Sequence, residues 1–188
     1  MEINLDSLLP TEIYHLMTQT VIPRPIAWVL TESSQGNYNL APFSYFAAVS
    51  SAPPLLMFSA GKKPNGDDKD TVLNAKKNKK MVIHIASEHM CKEVTDSAAT
   101  LEHGESELAL TGLETTEFKG FDLPRLKDCK IAFGASLYEI KTLGPVPQTL
   151  VFAEIETIYV ADDVITKKNF TGDILERELI KPLARLGA

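Results

Sequence analysis

The 188-residue sequence predicts a mainly β fold, an antiparallel barrel with flanking helices. Three observations predict it. Apolar, β-prone runs recur at Ile26 to Thr31, Tyr38 to Ser50, Leu55 to Ser59, Met81 to Ala86, Cys129 to Lys141 and Thr149 to Val160. The early and late runs stand at hairpin spacing, across Gly36 and across Gly144-Pro145. No regular alternation of strand and helix runs through the chain, which disfavours a doubly wound parallel sheet.

Taken in order, the chain opens with a short helix from Thr11, a cap residue, through Thr18, with Ile13, Leu16 and Met17 on one face. Pro23 and Pro25 then hold the backbone extended around Arg24. Ile26 to Thr31 is a strand, Ser33 to Asn37 a hairpin turn, and Tyr38 to Ser50 its partner, which Pro42 marks as a bulged or edge strand. Leu55 to Ser59 follows the Pro53-Pro54 break. Gly61 to Asp68 is a loop, and Asp67 or Asp68 is placed to cap a helix over Lys69 to Asn78. Met81 to Ala86 is apolar enough for a buried strand, and Glu88 to Thr100 reads as a second helix. Leu101 to Leu126 reads as a meandering excursion. Two long strands follow, and a last helix is expected over Asp173 to Arg185.

Length allows one well-filled domain and not two ordinary ones, so residues 1–188 are read as a single unit. A net charge of −6 argues against general affinity for nucleic acid or an anionic membrane. The lysines at 62–63 and between 76 and 80 read as a solvated loop and a helix end. MEINLDSLLP is acidic and has no basic n-region, so no export signal is expected. Pro42, Pro53 and Pro54 cut the apolar stretch Leu40 to Ala60 into strand-sized pieces, which excludes a spanning helix there. Cys91 and Cys129 make no disulfide framework and fit a reducing compartment. The reading is a soluble, cytoplasmic protein.

Lys69 is the most telling side chain. A lysine in the first turn of a helix opposes the macrodipole unless an anion sits there to share it with the helix N–H groups. Thr71 could donate a hydroxyl to the same anion. Equally open is a surface lysine neutralised by Asp67, Asp68 and Asp70. Arg24 is preorganised by flanking prolines for a bidentate anion contact, or is a plain linker arginine. Ser44, Ser50, Ser51 and Ser59 stand in or beside strands, where hydroxyls need backbone or ligand partners. His89, Cys91, His103 and Cys129 match no zinc spacing, and no metal is expected. His84 is read as a satisfied core or cleft histidine. No G-x-G-x-x-G, P-loop or G-x-S-x-G is present, which disfavours a Rossmann site, a Walker ATPase and an α/β-hydrolase.

Several segments, in order, are similar to the flavin reductase-like family, the FMN-binding split barrel, and to its flavoredoxin-type branch. They are Ile22-Pro23-Arg24-Pro25-Ile26-Ala27, Asn39-Leu40-Ala41-Pro42-Phe43-Ser44-Tyr45-Phe46 and Val49-Ser50-Ser51-Ala52-Pro53-Pro54. Phe58-Ser59-Ala60-Gly61, Lys69-Asp70-Thr71 with Asn74, and Pro182-Leu183-Ala184-Arg185-Leu186-Gly187 complete the set. The resemblance implies a six-stranded antiparallel split β-barrel with peripheral helices, a homodimer with one FMN per subunit near the interface. It places Ala41, Pro42, Phe43, Ser44, Tyr45, Ser50 and Ser51 along the flavin ring and ribityl chain. Ser59, Ala60, Lys69, Asp70 and Thr71 fall toward the phosphate, with Arg24 nearby. The chain departs at His84, where relatives often have Asn, and at Ala188, where relatives commonly continue a few residues with an aromatic.

The function that follows is hydride transfer from NADH or NADPH to FMN at flavin N5, with a small molecule or a protein as final acceptor. The cofactor carries that chemistry, so no catalytic side chain is nominated. A different class also fits, an FMN-binding electron carrier without substantial reductase activity. A structural or storage barrel is the third.

Overall fold

The computed structural model describes residues 1–99, 101, 105–166 and 175–187. In chain order these form α1 (Pro10–Thr20), β1 (Arg24–Pro25), β2 (Ala27–Glu32), β3 (Tyr38–Phe43), β4 (Phe46–Ser51), β5 (Pro54–Ala60), α2 (Asp70–Asn78) and β6 (Lys80–Ile85). Then come α3 (Cys91–Asp96), α4 (Glu107–Thr111), β7 (Thr115–Thr116), β8 (Arg125–Leu126), β9 (Ile131–Leu143), β10 (Gln148–Val160), α5 (Arg177–Ile180) and β11 (Ala184–Arg185).

Seven strands make one antiparallel sheet in the order β3-β2-β6-β9-β10-β5-β4. Its two edges, β3 and β4, are consecutive in the chain, with only Ser44 and Tyr45 between them. The run from Tyr38 to Ser51 therefore leaves one edge and finishes on the other, and the sheet curls into a barrel. Counted once, that bent run makes the seven strands of the sheet the expected six of a split barrel. The single strand expected over Tyr38 to Ser50 is thus two. The break falls at Ser44-Tyr45, where the chain changes sheet edges and the Ser59 N–H donates to the Tyr45 carbonyl at 2.9 Å. Pro42 stays inside β3 opposite Trp28, tolerated because β3 is an edge strand and no second ladder asks for an N–H.

Side-chain alternation sorts the core into two bodies. Every strand-length of the barrel contributes to an interior cluster that includes Ala27, Val29, Phe43, Phe58, Met81, Ile83, Ala135 and Val151. Val72 and Ala75 of α2 pack into the same cluster. The opposite faces of β2 and β6, with Trp28, Leu30 and Val82, are covered by Met90, Val94, Phe118, Leu123 and Leu126 from the excursion after β6. β2 is buried on both faces, which is why its sequence is apolar without alternation from Ala27 to Leu30.

His84 ties that excursion to the barrel. Its Nδ1 is 3.0 Å from the Trp28 carbonyl, and the Leu126 N–H donates to its Nε2 at 2.9 Å. Accepting at Nε2 requires the neutral ring to donate from Nδ1, so the tautomer is fixed. Burial pushes its pKa down to about 4. His84 is a core histidine.

The helix boundaries differ from expectation for identifiable reasons. α1 starts at Pro10 rather than Thr11, with Leu9 as the N-cap residue and the Glu12 carboxylate accepting the Leu9 N–H at 2.8 Å. The second helix is a 3₁₀ turn over Glu88–Met90 followed by the short α3, and Thr100 lies outside the described residues. The last helix shrinks to α5, its residues 173–174 lying outside the described ones. Lys181 adopts the left-handed conformation (φ 44°) and Pro182 cannot donate to a continuing helix. The tail beyond it runs extended, and β11 pairs with β1, Arg185 opposite Arg24. No helix among the described residues is long and apolar enough to cross a membrane.

Candidate functional site

A cleft of about 250 Å³ opens between β3, the first turn of α2, the segment after α3 and the tail strand. Asn39, Ala41 and Pro42 line it from β3, Lys69, Asp70 and Thr71 from α2, and Lys63, Ser97, Ala98, Ala99, Leu101, Glu107 and Arg185 close it. Trp28 holds one wall, its Nε1–H donating to Ser97 Oγ at 2.8 Å.

Lys69 is the N-cap residue of α2, in place of the expected Asp67 or Asp68, and no side chain caps the helix. The reason lies in the competing contacts. Asp68 is bridged by Lys62 and by Lys76 (2.6 Å), Asp67 accepts from Asn65 at 2.7 Å, and Asp70 pairs with Lys63 at 2.9 Å. The three carboxylates that could have neutralised Lys69 are therefore engaged elsewhere, and Lys69 has no carboxylate partner among the described residues. Burial, then the neighbouring Lys63 charge, holds its pKa below the usual lysine value. Its Nζ stands 5.7 Å from the centroid of the Phe43 ring.

Beneath the cleft runs a polar chain that the sequence did not reveal. Glu107, buried, accepts from Asn39 Nδ2 at 2.9 and 2.8 Å and from the Leu40 N–H at 2.8 Å. Burial raises its pKa, and those N–H contacts oppose the shift. With the Asn39 amide turned toward Glu107, its Oδ1 receives the Thr71 hydroxyl at 2.9 Å. Asn74 Nδ2 donates to Thr31 Oγ1 at 3.1 Å, extending the tie between α2 and the sheet. Thr71 thus has its one hydroxyl proton on Asn39 and presents lone pairs to the cleft.

The other expected site residues divide. Ser44 and Tyr45 line a second, apolar groove of about 290 Å³ with Arg24, Phe46, Ala47, Met57, Met17 of α1 and Val21 just beyond it. Burial, reinforced by Tyr14, raises the Tyr45 pKa. Phe43 and Ala60 are buried in the barrel interior, so they can meet a ligand only through backbone. Ser50 and Ser51 are exposed at the end of β4, and Ser59 Oγ bonds Gln148 Oε1 at 3.4 Å. Arg24 is buried, its guanidinium donating to the Thr18 carbonyl, to Val21 O at 2.8 Å and to Gly187 O at 2.6 Å. It lines the second groove and not the cleft.

Among the cysteines and histidines considered for a metal, Cys129 is buried 3.8 Å from Met90 Sδ with its pKa pushed up to about 12 by burial, and His103 lies outside the described residues.

The family profile described as "Flavin reductase like domain" matches residues 17–173, and the chain belongs to that family. It is 37% identical over 185 residues to YwrF of Bacillus subtilis (strain 168), an alignment covering 96% of this chain and 88% of that protein. The crystal structure of nitrilotriacetate monooxygenase component B from Bacillus cereus superposes with a TM-score of 0.91 at 31% identity, covering 100% of this chain and 92% of that one. A putative flavin reductase with split barrel domain from Shewanella frigidimarina superposes with a TM-score of 0.82 at 20% identity, covering 100% and 93%; it supports the fold alone.

The family makes a flavin the cofactor to test against this geometry. A phosphate-bearing flavin fits the donor set: a helix N-terminus without a side-chain cap, and a half-buried lysine without a carboxylate partner.

Proposed function

We propose that this chain, residues 1–188 acting as one domain, is an FMN-dependent oxidoreductase that takes hydride from NADH or NADPH. One observation carries the reading: Lys69, at the uncapped N-terminus of α2, faces a cleft while every nearby aspartate is paired with another group. Lys69 and the first N–H groups of α2 would hold the phosphate, and the run from Ala41 to Tyr45 would carry the ring from the cleft toward the apolar groove, since Ala41 and Pro42 line the first and Ser44 and Tyr45 the second. FMN, when bound, supplies hydride acceptance and electron release. The protein's part is to bind and orient: the free edge of β3 offers backbone groups, and Glu107 and Asn39 fix Thr71 with its lone pairs toward the cleft.

A cleft of about 250 Å³ is smaller than an ordinary small-molecule pocket of ~300–1,000 Å³, so part of the flavin would lie outside it. That supports a homodimer in which a second subunit covers the ring. β4 is exposed over Ala47–Ser51, and α1 buries only Thr18. The two free cysteines support a cytoplasmic setting.

Anaerobic mixing of the FMN-loaded protein with NADH and with NADPH tests the reading. Bleaching of the flavin band by at least one nucleotide on the turnover timescale is expected. Failure with both, while a chemical reductant bleaches the same band, would instead make the protein an electron carrier. Failure to bind FMN at all would remove both.

A further inference from the structure

Resting on that reading, we infer that Arg185 is a second cation for the flavin phosphate, and that Arg24 is a positioning residue that holds Arg185 at the cleft. The juxtaposition that carries this is built by the tail. Pro182 ends helix α5, the chain turns extended, and β11 pairs with β1 so that Arg185 is the register partner of Arg24. The two arginines then do different things. Arg185 lines the cleft beside Lys69, and its side chain has no ion pair or hydrogen-bond partner among the described residues. Arg24 is buried away from the cleft and donates to Gly187 O at 2.6 Å, two residues beyond Arg185, while its other contacts are the Thr18 and Val21 carbonyls that end α1.

The tail is anchored on its other side too. The Leu183 N–H donates to Ala86 O at 2.8 Å, and Ser87 Oγ donates to Ile180 O at 2.8 Å. The strap that delivers Arg185 is therefore fixed at both ends of its short extended stretch. Charge matching points the same way. Lys63 is paired with Asp70, and Glu107 spends its oxygens on Asn39 and Leu40 N–H groups, which leaves Lys69 and Arg185 as the cleft cations without a carboxylate. A phosphate monoester carries about −1.5 to −2 charge near neutral pH, enough for both.

The experiment is a fluorescence titration of FMN and riboflavin into the wild type, Lys69→Ala, Arg185→Gln, Arg24→Lys and the Arg24→Lys/Arg185→Gln pair. Arg185→Gln should weaken FMN about tenfold, the size of one charge-assisted contact, and leave riboflavin unchanged. Arg24→Lys should lower FMN affinity selectively, and the double variant should be no weaker than Arg185→Gln alone, because Arg24 acts through Arg185. Arg185 is exposed, so its substitution can be read without loss of fold. If the wild type binds FMN no better than riboflavin, the phosphate site itself is refuted. If Lys69→Ala loses the FMN preference while Arg185→Gln keeps it, the site stands and this inference falls. Additive losses in the double variant would mean that Arg24 meets the anion itself, which also overturns the assignment.

Discussion

His84 shows how one buried side chain makes a fold sensitive to acid. It is neutral in the fold, clamped between Trp28 O and the Leu126 N–H, with a pKa near 4 against 6.5 for the free side chain. Between those values the unfolded chain binds a proton that the folded one does not, so its contribution is fully present above pH 6.5 and is lost as pH falls toward 4. The total loss is about 3 kcal/mol for a shift of this size. Urea unfolding at stepped pH should show stability falling through this window. A His84→Asn variant, whose amide can still donate to Trp28 and accept from Leu126, should fall less steeply; an equal slope would place the effect elsewhere. At the same scale, Lys69 could be singled out from the sequence because a first-turn lysine is electrostatically odd. Which carboxylates it faces could not, since Asp67, Asp68 and Asp70 chose their partners only once the loop was folded. Arg24 was legible as an oriented arginine, but what orients it was not, because its acceptors at Thr18, Val21 and Gly187 come together only in the tertiary structure. Glu107 gave no local signal, and Arg185 stood only as one member of the terminal segment; they reach the cleft from an excursion and a tail whose paths no periodicity announces.

Among the elements, the β9–β10 hairpin carries a sharp packing requirement. Gly134 sits opposite Thr157, next to a register shift between Ile155 and Thr157. A Cβ built there would lie 2.8 Å from Thr157 Cγ2 and 2.9 Å from the Phe121 ring. Gly134→Ala should therefore cost about 1–3 kcal/mol through forced repacking. A lowered urea midpoint with an unchanged m-value checks it, and an unaltered midpoint would show that Phe121 swings away freely. The strands themselves were readable because β-branched and aromatic runs bounded by turns recur down the chain. The bend between β3 and β4 was not, since Pro42 advertises a break two residues before the one that occurs. The tail was read as helix through Arg185, and Pro182 with a left-handed Lys181 ends it sooner.

On the scale of the whole molecule, the cleft, the apolar groove and the exposed β4 face lie along one strand run, Asn39 to Ser51. A flavin laid along that run from the outside needs a cover, and a second copy of the chain is the expected one. Sedimentation of the FMN-loaded protein at micromolar concentration should give a dimer, and a monomer that keeps its FMN would contradict this. The central claim, that Lys69 and the α2 N-terminus hold a flavin phosphate, is tested most directly by titrating FMN and riboflavin into the wild type and Lys69→Ala. Removing one partner of a partly buried charged contact costs about 2–5 kcal/mol, and the remaining helix N–H groups place the loss at the lower end, roughly thirtyfold for FMN. Riboflavin, which has no phosphate, should bind the two proteins alike. Equal weakening of both ligands, or of neither, would place the phosphate elsewhere and contradict the account.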